Sequence, residues 1–270
     1  MVFKDFARKS ALSLGKSLLV TLIGLSILLS AFSQATSESF VRPVLSGVID
    51  KQFSGLNLGE EYSSFSAACS QSPNKVYGVE GIDGIKLNCG DASKGKDYFI
   101  DSLKAQATSF LLKDYNSQAC NGFGCISLAT DSSKDFPARV SAILNKGFSG
   151  FLEELSKWAT VLSMLLVVLI LVLSEGFVKK LLNLSYPLII AGLPYFILLL
   201  GKGQIDSSLN GQLANLVSSD ALVKINSLIG STSNKFLSVF FLGIILLIFG
   251  LILKFKAGNK KGKSDKKSKK

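Results

Sequence analysis

Residues 158–174 read WATVLSMLLVVLILVLS, a run of seventeen residues without a charged side chain between Lys157 and Glu175. An α-helix needs about 20 residues to cross the hydrocarbon core of a bilayer, and roughly 17–25 are observed. Burial in a large soluble core is the alternative, but the chain contains four such runs, which is too many to bury in one core of 270 residues. They predict an all-α integral membrane protein with a four-helix transmembrane bundle. The three further uncharged apolar runs are residues 17–37, 181–201 and 236–253.

The composition argues against metal and acid–base chemistry. The chain is 48% hydrophobic and only 18% charged, with no histidine, so it lacks the usual general base near neutral pH and the commonest transition-metal ligand. The sequence contains no phosphate-binding loop, no serine nucleophile elbow and no zinc-protease motif. We therefore expect a protein that is not an enzyme and that has no cofactor or metal ion.

The basic residues predict how the chain is threaded. Residues 1–16 hold four basic residues against one acidic residue, and residues 254–270 hold nine lysines against one aspartate. Residues 38–157 hold twelve basic and fourteen acidic residues. Short basic loops stay in the cytoplasm, whereas long loops cross the membrane largely regardless of charge. Both ends and the 175–180 turn are therefore expected inside the cell, and residues 38–157 and 202–235 outside the cell membrane.

The first span has two interpretations. Its basic start and apolar run, followed by small residues at 31–33 or 33–35, also fit a secretory signal with a cleavage site. The apolar run of residues 17–37 is at the long end for the core of a signal, which favours a retained anchor. Cleavage would leave three spans without changing the side that any loop faces.

All four cysteines, Cys69, Cys89, Cys120 and Cys125, fall in the predicted outer segment. An even number of cysteines on the exposed side is typical of an oxidising compartment. Of the three pairings, we favour Cys69–Cys89 with Cys120–Cys125, because the linker 121–124 contains two glycines and can turn tightly. Zinc is the rival interpretation, disfavoured because histidine and a C-x-x-C pair are both missing. We therefore predict a mainly helical, disulfide-stabilised domain.

Apolar periodicity predicts helices within this domain. One covers residues 40–49, with Pro43 in a first turn after Ser37 or Ser39. Another covers residues 97–115. The alternative to burial of their apolar stripes is a partner-binding groove or a surface lying on the bilayer.

A third helix is expected to begin at Asp135, a plausible N-cap, with Pro137 just inside it. It should run towards the second span, and Gly147 and Gly150 are the only strong helix-breaking residues in its path. Two short segments are candidates for a strand pair. They are residues 75–79 and 84–87.

The spans themselves favour close packing over ion transport. None of the four runs contains Asp, Glu, Lys or Arg, whereas such residues mark ion pathways in membranes. Pro187 and Pro194 predict a kinked third span, because each removes one backbone hydrogen bond. Kinked helices also line binding sites in transporters, but a packing kink is the simpler interpretation. Gly243 and Gly250 share a face of the fourth span and predict close helix approach.

The segment of residues 202–235 is predicted to be an extracytoplasmic amphipathic loop of two short helices. The first contains apolar residues from Ile205 to Val217, and the second is capped by Asp220 and ended by Gly230. These helices would cover the larger outer domain or lie in the headgroup layer.

The C-terminal tail follows the last span directly and is rich in lysine. Such clusters attract anionic lipid and enforce topology, so the lipid bilayer is the expected partner and an acidic cytoplasmic protein the alternative. Nucleic acid is disfavoured, because the tail has no aromatic residue for stacking and no arginine for reading bases. The lysines are Lys254, Lys256, Lys260, Lys261, Lys263, Lys266, Lys267, Lys269 and Lys270.

The order of segments, with a large first outer loop, a tight inner turn and a smaller second outer loop, is similar to the claudin-type tetraspan arrangement. The resemblance covers the layout alone. The tryptophan-containing signature of that family has no counterpart, because the single tryptophan is Trp158 at a span boundary, and no functional residue is carried across. A tetraspanin layout fits less well, since its large outer loop lies between the last two spans.

These observations lead to two main functional hypotheses. The first is a structural or interaction component that binds other membrane or envelope proteins, or its own copies, through the disulfide-stabilised outer domain. The second is a membrane subunit of a transport, pore, secretion or DNA-transfer machine. A membrane hydrolase working through serine or carboxylates ranks third.

Overall fold

The computed structural model describes residues 2–54, 58–79, 82–116, 120–133, 142–200 and 219–267. About 87% of these described residues are helical, in agreement with the all-α class. In chain order, the helices and strands are α1 (Val2–Ala35), α2 (Glu38–Ser54), α3 (Leu58–Gln71), β1 (Val76–Val79), β2 (Ile82–Asn88), α4 (Cys89–Ala92), α5 (Lys96–Asn116), α6 (Phe123–Thr130), α7 (Lys146–Leu173), α8 (Phe177–Gly192) and α9 (Ser219–Lys267).

Four helical segments are long and apolar enough to cross a membrane, as expected of a multi-pass membrane protein. Each is longer than the uncharged run that predicted it, because the helix continues into charged turns at its ends. Lys16, for example, lies inside α1 rather than before it. The segments are Phe6–Ala35, Lys146–Leu173, Phe177–Leu200 and Ser219–Lys256.

The chain divides into two compact units. The first, called here the four-helix unit, comprises Met1–Ala31, Leu152–Gly203 and Ile229–Lys270. The second, the disulfide unit, comprises Phe32–Phe151 and Gln204–Leu228. Helices α1, α7 and α9 each contribute residues to both units.

The core of the four-helix unit takes leucine and isoleucine side chains from all four of its helices. Leu19 of α1, Ile170 of α7 and Leu184 of α8 are buried together, and Leu246 of α9 packs against them. Hydroxyl groups add contacts between α1 and α7, since Ser156 donates to the carbonyl oxygen of Ser26 at 3.0 Å. Small side chains at these positions allow the two helices to approach closely.

Helices α8 and α9 meet through glycines. A β-carbon on Gly243 would lie 2.7 Å from the backbone nitrogen of Ile189, and one on Gly192 would lie 2.6 Å from the Cα of Phe240. Gly250 packs against Leu182 on the same side of α9. The shared glycine face expected from the spacing is therefore the face that α9 turns towards α8.

The disulfide unit contains the expected second helix as α5, against which α2 packs. Val41, Leu112 and Tyr115 are buried between them. The Tyr115 hydroxyl donates to the carbonyl oxygen of Thr36 at 3.0 Å, and burial raises the pKa of this phenol above its ordinary value.

A short antiparallel hairpin accompanies these helices. Strand β1 pairs with β2 in a register that places Val76 opposite Asn88 and Tyr77 opposite Leu87. The pairing shifts between Gly78 and Val79. The predicted strand pair is thus present, although β2 is longer than expected.

Helix boundaries in this unit differ from two expectations. The backbone oxygen of Ser37 accepts from the amides of Phe40 and Val41, so α2 begins at Glu38 and Pro43 lies beyond its first turn. The helix leading into the second span begins at Lys146 after a bend at residues 144–145, because the side chain of Asn145 caps it. Gly147 and Gly150 do not break it. The expected start at Asp135 and Pro137 lies outside the described residues.

Gly230 does not end a helix, contrary to expectation. Helix α9 runs through it without interruption, and a β-carbon there would find open space. A glycine inside a helix costs about 1 kcal/mol relative to alanine, and packing beyond it compensates, since Phe236 is almost fully buried. The expected first helix of this loop, from Ile205 to Val217, lies outside the described residues.

Candidate functional site

The Cys69–Cys89 disulfide lies at the centre of a small aromatic core. It joins α3 to the start of α4. Around the two buried cysteines, the rings of Phe65 and Phe99 stack with their centroids 5.0 Å apart. The hydroxyl of Tyr62 donates to the backbone oxygen of Ala92 at 2.9 Å. The disulfide therefore closes a packed core and is not an isolated link on the surface.

The Cys120–Cys125 disulfide closes a small ring. The chain turns through Gly122, whose φ of +56° is in the left-handed region that favours glycine. Cys125 is fully buried and Cys120 nearly so. Both pairings are those favoured because the linker 121–124 can turn tightly.

Asn145 connects this ring to the start of α7. Its amide nitrogen donates to Cys120 Sγ at 2.9 Å and to the carbonyl oxygen of Ala142 at 2.8 Å. Its Oδ1 accepts from the backbone N–H of Phe148 at 2.8 Å, the bond of a helix N-cap. The side chain is fully buried, so one residue serves both the ring and the helix end.

The tight fit around Asn145 also requires Gly147. A β-carbon at this position would lie 2.7 Å from the carbonyl oxygen of Cys120. Sequence reasoning missed the role of Asn145. The signal that could have found it is an N-capping residue type just before a long apolar helix.

Helix α6 presents an aromatic side chain beside the ring. Phe123 follows Gly122 directly and is 72% exposed. Its ring meets that of Phe151 edge-on, with centroids 5.0 Å apart. Ile126, one turn further, is also exposed. These two residues form an apolar surface whose helix is held in place by the disulfide, and it is called the α6 surface below.

Polar groups cluster at one end of the four-helix unit. Arg8 Nε donates to the carbonyl oxygen of Leu173 at 2.6 Å, and Arg8 also forms an ion pair with Glu175. The hydrogen bond from Arg8 holds the pKa of the Glu175 carboxyl below its ordinary value. Because α1 supplies Arg8 and the α7–α8 connection supplies Glu175, this pair ties the first helix to the turn.

A second polar chain lies beside it. Lys16 Nζ donates to Asn183 Oδ1 at 2.7 Å, and Asn183 Nδ2 donates to Ser174 Oγ at 2.8 Å. In the sequence, Asn183 is a polar residue within the apolar run 181–201, and Lys16 is the last charged residue before the apolar run 17–37. Their spacing does not predict a contact between them, because they belong to different helices.

Helix α9 extends into the predicted basic tail. Lys254 and Lys256 are exposed on it. The helix extends to Lys267 and so includes Lys260, Lys261, Lys263 and Lys266. Lys269 and Lys270 lie outside the described residues.

The two prolines of the third span differ in their surroundings. Pro187 is buried within α8, which runs through it. Helix α8 ends at Gly192, and helical structure resumes at residues 194–200 after a turn at Leu193, directly before Pro194. The interruption therefore belongs to Pro194.

Among the described residues, no three His, Cys, Asp or Glu side chains are grouped so that they could hold a metal ion. Comparison of the chain with protein-family models, with curated proteins and with solved structures finds no match.

Proposed function

We propose that the protein is a structural or interaction component of the cell membrane, without catalytic activity, that binds a protein partner or a second copy of itself through its disulfide unit. The observation that carries this proposal is the exposure of Phe123 on a helix anchored by the Cys120–Cys125 disulfide. Exposed aromatic side chains on a rigid support lose little conformational entropy on binding and often dominate interface energies.

We further propose that both ends of the chain are cytoplasmic and that the disulfide unit is extracytoplasmic. The basic ends support this orientation through the preference of lysine and arginine for the inner side. Two disulfides in one unit support an oxidising compartment for it. A reduced state of all four cysteines in native membranes, measured by maleimide labelling before and after reduction, would contradict this orientation.

Two contacts support α1 as a retained anchor instead of a cleaved signal. Leu19 is fully buried in the core of the four-helix unit. Lys235 also donates to Ser30 of α1 at 2.9 Å. Cleavage near residues 31–35 would remove both contributions.

Photo-crosslinking tests the α6 surface directly. A benzoylphenylalanine would replace Phe123 in one variant and the exposed Tyr98 of α5 in a control variant, both in native membranes. We expect a crosslinked product specific to the Phe123 position, either a dimer of the chain or an adduct with another membrane protein. Failure of both positions to crosslink, together with a monomer in mild detergent, would contradict the proposal.

A membrane subunit of a transport, pore, secretion or DNA-transfer machine is the second candidate. It is supported by the interruption at Leu193, since broken helices line binding sites in transporters. The support is weaker, because Gly192 at this interruption packs directly on Phe240. Ion or solute flux in reconstituted vesicles, abolished when Pro194 is changed to leucine, would favour this candidate over the first.

A further inference from the structure

The four-helix unit contains a cavity of about 450 Å³ whose wall is strongly basic. It opens between α1, α8 and the connection before α8. Four cationic side chains line it, together with the polar groups of Ser174 and Asn183. The cations are Arg8, Lys9, Lys16 and Lys179.

The wall contains one acidic residue, Glu175, and it is already engaged by Arg8. Lys16 donates to Asn183, a neutral acceptor, so its charge is not compensated by that bond. Among the ion pairs of the described residues, none includes Lys9, Lys16 or Lys179. The cavity thus has an excess of positive charge, which favours an anionic occupant.

A second, apolar groove of about 310 Å³ shares Lys16 with this cavity. Val20, Pro187 and Ile190 line it, and all three belong to uncharged runs that are expected to lie in the hydrocarbon core. Ile190 is half-exposed in the groove. Lys16 is therefore the junction between a polar, cationic space and an apolar one.

We propose that this pair of spaces binds one anionic phospholipid, with its phosphate in the basic cavity and one acyl chain in the apolar groove. A zwitterionic headgroup would leave the excess positive charge uncompensated, and a free anion would leave the groove empty. Lys16 would bind the phosphate at the level where the headgroup meets the chains, as lysines do when they extend to the membrane interface. The site is separate from the lysine tail, and it depends only on the spans lying in a bilayer and not on the proposed function.

Native mass spectrometry of the full chain in detergent, titrated with dioleoyl-phosphatidylglycerol, dioleoyl-phosphatidylcholine or glycerol 3-phosphate, tests the proposal. The wild-type chain is expected to bind the anionic lipid about tenfold or more tightly than the zwitterionic one. The double variant Lys9→Gln/Lys179→Gln should weaken binding of the anionic lipid by about twenty-five-fold, because each lysine near a lipid phosphate contributes roughly a fivefold change.

The matched control removes the same charge outside the cavity. Lys180 neighbours Lys179 but does not line the cavity, and Lys256 lies on α9. The variant Lys180→Gln/Lys256→Gln should change the affinity less than about threefold. Equal weakening by the two double variants would overturn the site in favour of a general surface charge effect.

The groove is tested by Ile190→Trp, which fills it, with the exposed Ile197→Trp as its control on the same span. Ile190→Trp should weaken lipid binding, and Ile197→Trp should not. Displacement of the lipid by equal concentrations of glycerol 3-phosphate, or equal affinity for both lipids, would overturn the proposal. Unfolding midpoints of all variants, compared with the wild type, identify any variant that loses binding because it fails to fold.

Discussion

Ser33 and Ser149 bond to each other's backbone in both directions. The Ser33 hydroxyl donates to the carbonyl oxygen of Ser149 at 3.2 Å, and the Ser149 hydroxyl donates to that of Ser33 at 3.1 Å. Both residues are buried. In the four-helix unit, Ser26 and Ser156 repeat the arrangement, with the Ser26 hydroxyl donating to the Ser156 oxygen at 3.3 Å. Helices α1 and α7 thus carry the same serine contact at positions seven residues apart on each helix.

Removal of the first serine pair should destabilise the protein. The variant Ser33→Ala/Ser149→Ala loses both hydrogen bonds, and each is expected to contribute about 0.5–1 kcal/mol. The free energy of unfolding in detergent, measured with a chemical denaturant, should fall by about 1–2 kcal/mol. Ser238→Ala is the control, because its hydroxyl bonds to an oxygen of its own helix. An equal loss in this control would contradict an interhelical role.

Alanine substitutions at two glycines of α9 should have opposite effects on the stability of the protein. Gly243→Ala places a methyl group 2.7 Å from the Ile189 nitrogen, so α8 and α9 must separate, at a cost of about 1–3 kcal/mol. Gly230→Ala meets open space and should stabilise the helix by up to about 1 kcal/mol. Thermal unfolding of the two variants measures both effects. A Gly243→Ala variant as stable as Gly230→Ala would exclude the close approach.

The two disulfides should contribute unequally to stability. The sequence separation is 20 for Cys69–Cys89 and 5 for Cys120–Cys125. Loop-closure entropy then predicts losses of about 3 and 2 kcal/mol when each pair is changed to serine. Urea unfolding of the two double variants gives the comparison. A larger loss for the smaller ring would show that the packing of Asn145 on its sulfurs outweighs loop closure.

The Arg8–Glu175 pair predicts a small pH dependence. Because Arg8 lowers the pKa of Glu175 below its ordinary value, the folded state is favoured when the carboxyl is ionised. This stabilisation is present above the ordinary glutamate pKa and is lost as the pH falls through the lowered value. Thermal unfolding between about pH 6 and pH 3 should therefore show a shallower acid destabilisation in Glu175→Gln than in the wild type. Identical pH profiles would contradict the role of the pair. Lys180→Gln is the control, because it removes a charge from α8 that does not act on the Glu175 carboxyl.

The parts that sequence patterns predict well are those decided by neighbours along the chain. Uncharged runs predicted four apolar helices, because a helix in lipid must satisfy its backbone internally and present apolar side chains. The amphipathic stripe at residues 97–115 corresponds closely to α5. The glycine-containing linker 121–124 favoured the observed disulfide pairing, because a six-residue ring with two glycines can close locally.

The errors arose where a local signal competes with packing. Glycine commonly ends a helix, yet α9 continues through Gly230 because residues beyond it are buried. The bend before Lys146 exists because the side chain of Asn145 reaches a disulfide 20 or more residues earlier in the chain. The first outcome depends on packing beyond the turn that holds Gly230, and the second adds a contact with distant cysteines to a local N-cap bond.

Residue type and spacing along single segments predicted four apolar helices, basic ends and a segment with two disulfides. The packing of helices against one another brings Lys16 to Asn183 and Gly243 to Ile189, and it places a basic cavity beside an apolar groove at Lys16. These contacts join helices distant in the sequence. Their partners are set by the way helices pack, which no periodicity within a single helix specifies.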